Sequence, residues 1–160
     1  MHQEPLIEGP GFAAGQLCRT ANVVRRHFEG AVLRHEDLRW TGFDLLQLLR
    51  RRRVVETGAA AEILGVPKTT LIGHVADLSN RGLIQRVPHA TDRRRTVLRL
   101  TDAGCEMAQR THCAVEAEET RMLDDGKPLF PANALRRLVN HGTAETATGG
   151  PHALPAQPAL

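Results

Sequence analysis

The stretch from Thr57 to Thr101 constrains this chain more than any other. It opens on small apolar residues, Ala59, Ala60 and Ala61, then Ile63 and Leu64, and halts at Gly65-Val66-Pro67. Glycine ends a helix by taking left-handed backbone, and proline suits the first turn of the next one. In the segment that follows, Leu71, Ile72, Val75 and Leu78 gather on one side of a helical wheel. Thr69, Gly73, Ala76 and Asp77 fall opposite, with Thr70 and His74 flanking. Two strand-like runs come next, Leu83-Ile84-Gln85-Arg86-Val87 and Thr96-Val97-Leu98-Arg99-Leu100, joined by a loop from Pro88 to Arg95.

Helix, tight turn, helix and ribbon is the order of a winged helix-turn-helix, and hence of DNA binding. An outward face of small polar residues lets a helix lie deep in the major groove, because nothing bulky holds its backbone off the base edges. Lys68, at the start of that helix, can meet a phosphate together with the exposed N–H groups. The hairpin loop carries His89, Asp92, Arg93, Arg94 and Arg95. Arginines at a ribbon tip suit the narrow minor groove, where negative potential is concentrated. Asp92 would repel phosphate, so its expected role is to pair with an arginine and fix its direction.

Charge is distributed to match. From Arg81 to Arg99 there are six arginines and one acid, Asp92, whereas the region from Glu116 to Asp125 is acidic. Locally concentrated basic charge is what a nucleic-acid surface requires, and Arg86 belongs to it. A hydrophobic content of 41% and charged content of 24% over 160 residues fit one globular domain. Uninterrupted apolar runs stay well short of the roughly 18 residues of a membrane span, and the N-terminus lacks a basic segment followed by an apolar one. A cytoplasmic protein that does not engage membranes is expected. Three cysteines and eight scattered histidines lack ligand spacing, so neither a metal nor another cofactor is expected.

The flanks are helical. Residues 1–11, with Pro5, Gly9, Pro10 and Gly11, read as an arm. From 12 to about 33, Leu17, Ala21, Val24, Phe28 and Ala31 mark one narrow stripe, suited to packing within the subunit or against a partner's helices. Thr41 reads as the N-cap of a helix carrying Leu45, Leu46, Leu48 and Leu49, with Asp44 in the capping-box position. That helix ends in Arg50 to Arg53, a run explained by a solvated helix end complementing the dipole or by nucleic-acid contact. Val54 and Val55 allow a short strand, and Thr57 a cap. Thr101-Asp102 caps a long helix to about 123, with Ala103, Met107, Ala114, Val115 and Met122 as its apolar face. A short helix fits 131–141, and 142–160 reads as a flexible tail.

At this point the chain resembles the MarR family of bacterial transcription regulators. The resemblance rests on Leu78-Ser79-Asn80-Arg81-Gly82-Leu83-Ile84-Gln85-Arg86, on Asp92-Arg93-Arg94, and on Leu100-Thr101-Asp102-Ala103-Gly104 at the family's spacings. It implies a mainly α fold with a small antiparallel β-wing: a winged helix-turn-helix at about 40–100, plus a helical dimerisation layer at about 12–33, 101–123 and 131–141, within a single domain spanning 12–141. It further implies a homodimeric repressor that binds a near-palindromic, inverted-repeat operator in double-stranded DNA. Lys68, Thr69, Thr70, Gly73 and His74 would face the groove, with Arg94 at the wing tip oriented by Asp92. Gly73 and His74 stand where relatives often carry larger side chains, so the base preference does not carry over.

Family members commonly release DNA when a small aromatic molecule binds between the dimer layer and the winged domain. Here Phe28, His35, Trp40 and Phe43 would line that region, although aromatic packing alone also accounts for them. One branch senses peroxide through a cysteine in the first helix, comparable to Cys18. That branch holds its thiol with tyrosines, and this chain has none, so Cys18 is expected to be buried and inert. A winged-helix protein-interaction module is a competing reading, set against by Arg93 to Arg95 beside the small-faced helix. An enzyme is not expected, because no nucleophile and base, phosphate loop or metal set accompanies Asp92.

Overall fold

A computed structural model describes residues 10–89 and 96–122. In chain order these form α1 (Pro10–Ala31), a 3-10 turn (Leu33–Glu36), α2 (Trp40–Arg52), β1 (Val55–Glu56), α3 (Thr57–Leu64), α4 (Lys68–Asn80), β2 (Ile84–Pro88), β3 (Thr96–Leu100) and α5 (Asp102–Met122). The chain divides into two compact units, Met1–Glu119 and Thr120–Leu160. Of the second, only residues 120–122 are described; the helix expected at 131–141 and the tail at 142–160 lie outside the described residues, as does the arm before Pro10.

Mainly α with a small antiparallel sheet is therefore the fold class. β3 lies between β1 and β2 and runs antiparallel to both. Val55 faces Leu98, and the ribbon register runs from Ile84↔Leu100 to Pro88↔Thr96.

The core is centred on α2, whose Leu45, Leu46 and Leu49 are shut off from solvent. Leu71, Val75 and Leu78 of α4, Ala60 of α3 and Leu98 of β3 join the same cluster. Each buried leucine contributes about 1.5–3 kcal/mol, so these residues decide where the elements sit. Gln47 is buried with them because its amide N–H donates to the Ala108 carbonyl at 2.8 Å, tying α2 to α5.

The helix ends follow local chemistry in some places and distant chemistry in others. Gly65 (φ +63) and Gly82 (φ +68) end α3 and α4 in the left-handed region. The following N–H groups reach back to Ala61 and Leu78, which satisfies the last carbonyls. Thr101 caps α5: its hydroxyl accepts from the Gly104 N–H at 3.0 Å and donates to the Gly82 carbonyl at 2.7 Å.

The start of α2 differs from the expectation. The N-cap is Arg39 rather than Thr41, and the free N–H of Trp40 donates to the Glu29 carboxylate of α1 at 2.7 Å. A cap supplied from α1 moves the helix start two residues upstream. Thr57, likewise, is the first residue of α3 and not its cap, and Pro67 precedes α4 as its N-cap. The expected apolar face of α5 is also rotated: Gly104, Met107, Ala108, Thr111, Val115 and Glu118 are buried, while Ala103, Ala114 and Met122 are exposed. Buried Glu118 lies 2.7 Å from His27 Nε2, so α1 supplies a polar partner that recruits this side of α5.

Asp44 is held inside the first turns of α2. Burial raises its pKa above the ordinary carboxyl value, against the Trp40 indole N–H that donates to it and the nearby Arg25 and Arg51. The folded chain thus keeps this proton to higher pH than the unfolded chain. Its stabilising contribution is complete below the unfolded carboxyl value and is lost as pH rises through the raised folded one. Asp44→Asn keeps an acceptor for Trp40 without the buried charge. It is expected to raise the melting temperature by a few degrees near pH 7, with the gain shrinking toward about pH 3.5. A variant less stable than the parent at neutral pH would show that the arginines outweigh burial.

Candidate nucleic-acid interface

Pro67, extended at φ −56 and ψ 138, launches α4, and its carbonyl accepts from the Leu71 N–H. The helix is anchored by Leu71, Val75 and Leu78, none more than 1% exposed. That stripe forces the opposite side outward, and Lys68, Thr69, Thr70 and Gly73 are all exposed. A Cβ added at Gly73 would meet nothing within 4 Å. The N-terminal half of α4 therefore presents a small, polar, open surface.

Two positions differ from the expectation. Ile72, placed inward with Leu71, is 45% exposed. One step along a helix turns a side chain by about 100°, and the anchor at Leu71, Val75 and Leu78 leaves Ile72 outside the buried arc. It joins the outward face, where its methyl groups can meet a thymine methyl. His74 sits on the inner edge, half-buried, its Nδ1 directed toward Gly42 of α2.

The ribbon rises beside this helix. Arg86 is exposed on β2. His89 Nε2 lies 4.0 Å from Glu56 Oε1, which brings the end of β2 toward β1. Asp92, Arg93, Arg94 and Arg95 lie in the hairpin loop, outside the described residues. Arg81, part of the Arg81-Gly82-Leu83-Ile84 signature, serves structure: its guanidinium donates to the Glu36 and Asp37 carbonyls at 2.7 and 2.8 Å. The 3-10 turn and the end of α4 are thereby fastened together, fixing where the ribbon begins.

A family model described as a winged helix DNA-binding domain matches residues 45–104, the span holding most of α2 through the start of α5. YwaE of Bacillus subtilis (strain 168), an uncharacterized HTH-type transcriptional regulator, is 26% identical over 110 residues. The match covers 69% of this chain and 64% of that protein's length. The transcriptional regulator BldR from Sulfolobus solfataricus superposes with a TM-score of 0.69 at 17% identity, covering 86% of this chain and 99% of that one. A mutant MarR from E. coli complexed with operator DNA superposes at 0.61 with 18% identity, covering 84% and 93%. The chain carries a winged-helix domain over residues 45–104 and shares its fold with these regulators.

The aromatic candidates form a packed series. Phe28 and Trp40 have centroids 5.7 Å apart, Trp40 and Phe43 5.3 Å, and both phenylalanines are buried. His35 stands apart from them, exposed on the 3-10 turn. Phe43 lines an open cleft of about 480 Å3, shared with Asp44, Gln47 and Arg51 of α2, Ile63 of α3 and His112 of α5. Cys18 is exposed, contrary to the expected burial, because the stripe on α1 meets the core only near Val24 and Phe28. Among the described residues, no helix is long and apolar enough to cross a membrane.

Proposed function

We propose that this chain is a cytoplasmic, sequence-specific transcription regulator of the MarR type. Two copies bind a near-palindromic operator, and a small aromatic effector releases it. The observation that carries the reading is the outward face of α4, where Lys68, Thr69, Thr70, Ile72 and Gly73 stand clear of the anchored stripe. The antiparallel ribbon beside it leads to Arg93, Arg94 and Arg95. Threonine hydroxyls and a bare backbone suit base edges, Lys68 suits a phosphate, and an arginine aligned by Asp92 suits the minor groove. The structurally similar E. coli MarR is complexed with operator DNA, which agrees with this reading.

Dimerisation is the natural use of α1. Val23 is 58% exposed and Leu17 half-exposed, leaving an apolar face that a second copy can cover. For the effector, the cleft between α2, α3 and α5 fits better than the packed Phe28–Trp40 pair, since it offers volume, the edge of Phe43 and the Arg51 guanidinium.

Selecting bound sequences from a random DNA pool tests the reading directly. An inverted repeat should emerge, with affinity falling steeply as salt rises and Arg94→Ala weakening binding roughly tenfold or more. Equal affinity for selected and random duplexes at every salt concentration would end the claim of sequence-specific regulation. A repeat that binds but resists phenolic acids would remove only the effector.

A further inference from the structure

A second cleft, of about 650 Å3, opens where the end of α2, the lead-in to β1, the base of the ribbon and the first turn of α5 meet. Arg50, Arg53 and Arg99 line it with a single carboxylate, Asp102, three positive charges against one negative and hence a net +2. Val54 and Leu100 add an apolar rim.

Two of the three guanidiniums are held, and none is paired with a carboxylate among the described residues. Arg99 Nε and Nη2 donate to the Gln85 amide oxygen at 3.1 and 2.9 Å. Arg50 Nε donates to Gln47 at 3.1 Å and its Nη1 to Gln109 at 3.4 Å. Glutamines orient these arginines on one edge and leave their charge and their remaining N–H groups available. The Arg53 guanidinium makes no hydrogen bond or ion pair among the described residues, and only its backbone N–H is engaged, donating to the Leu49 carbonyl at 2.8 Å.

Its backbone is unusual as well. Arg53 has φ +64 and ψ −48, and the Val54 N–H donates to the Arg52 carbonyl at 2.7 Å. That is a three-residue γ-turn with positive φ, a strained conformation that glycine adopts more readily. A complement to the dipole at the end of α2 accounts for Arg51 and Arg52. It accounts neither for a cation on a strained turn past the last helical residue nor for Arg99, which arrives from β3.

We propose that this cleft binds a phosphate group, either the dianion of a small phosphate monoester or a singly charged phosphodiester of the DNA backbone. Guanidinium forks match phosphate oxygens in pairs, and a net +2 suits a dianion better than a monocarboxylate. Occupancy would join α2, β3 and α5 across a single anion and stiffen the base of the wing.

The test uses the full chain, with inorganic phosphate and phenyl phosphate as probes against chloride at equal ionic strength. Phosphate should raise the melting temperature with concentration, saturably, by several degrees. Arg53→Gly relieves the strained turn while removing one cation, so it should fold normally and lose at least tenfold in phosphate affinity, as should Arg99→Gln. Arg52→Gln, an equal loss of charge outside the cleft, should keep the response. No difference between phosphate and chloride overturns the proposal, and so does a response retained in Arg53→Gly and Arg99→Gln or lost equally in Arg52→Gln. The source is read from a random duplex: a shallower salt slope for Arg53→Gly assigns the phosphate to DNA, and an unchanged slope assigns it to a small ester. This result is independent of whether an inverted repeat is selected.

Discussion

Gly104→Ala is expected to prevent this chain from folding. A Cβ at Gly104 would stand 1.9 Å from the Leu83 carbonyl oxygen, 2.9 Å from its carbon and 3.3 Å from Leu100 Cδ2. Neither side can yield cheaply. The Leu83 carbonyl accepts from the Thr101 N–H at 3.1 Å, and the Leu83 N–H closes the end of α4 on Leu78 at 2.9 Å. On the other side, the Gly104 N–H is already committed to the Thr101 hydroxyl. To admit one methyl group, the start of α5 must lift off the base of the ribbon, breaking the cap and the turn after α4 together. A cost above about 4 kcal/mol belongs to the extreme tail of single substitutions, against a total stability of about 5–15 kcal/mol. Soluble yield and a circular-dichroism melt measure it. Gly30→Ala is the control, since a Cβ there meets nothing within 4 Å and a helix prefers alanine. If the Gly104 variant melts cooperatively within a few degrees of the parent, the close approach is not a constraint.

That constraint was visible in the sequence only as a motif, Leu100-Thr101-Asp102-Ala103-Gly104, without its reason. The pattern shows what local chemistry dictates: Gly65 at a helix end, the Thr101 cap, the two ribbon strands to within a residue. These depend on neighbours a few positions away. What the pattern could not show depends on partners far along the chain. The N-cap of α2 moved because Glu29 reaches Trp40, and Glu118 is buried because His27 waits on α1. Neither carboxylate carries a mark in its own neighbourhood. Ile72 was misplaced for a related reason: apolar character assigned it to the core, but the arc that α2 and α3 can cover ends before it. The strained turn at Arg53 is invisible in four identical letters, because the turn arises where α2 must stop for Val55 to pair with Leu98. For the candidate interface, the outward residues of α4 were legible from periodicity, whereas the arginine-lined cleft is assembled from elements remote in sequence.

Gly73 offers the sharpest separation of fold from DNA binding. Gly73→Gln is expected to stabilise the protein and to disable it as an operator binder. Glycine in a helix interior costs roughly 0.5–1 kcal/mol relative to a good helix former, and the space around this position is empty, so the added side chain has nothing to strain. A melting temperature a few degrees above the parent's follows. The same side chain would project from the outward face between Thr69 and Ala76, where the proposed interface requires the backbone to approach base edges. Holding the helix off by even part of a side chain's length removes several base contacts, each worth about 1–3 kcal/mol. Operator affinity should therefore fall by roughly 100-fold. Low-salt binding to random duplex should fall much less, because Lys68 and the wing arginines still reach phosphate. Fluorescence anisotropy with a selected repeat and a random duplex, at two salt concentrations, reads both quantities from one sample. Unchanged operator affinity in a more stable variant would remove this face of α4 from the groove, and with it the assignment of Thr69 and Thr70 to base edges.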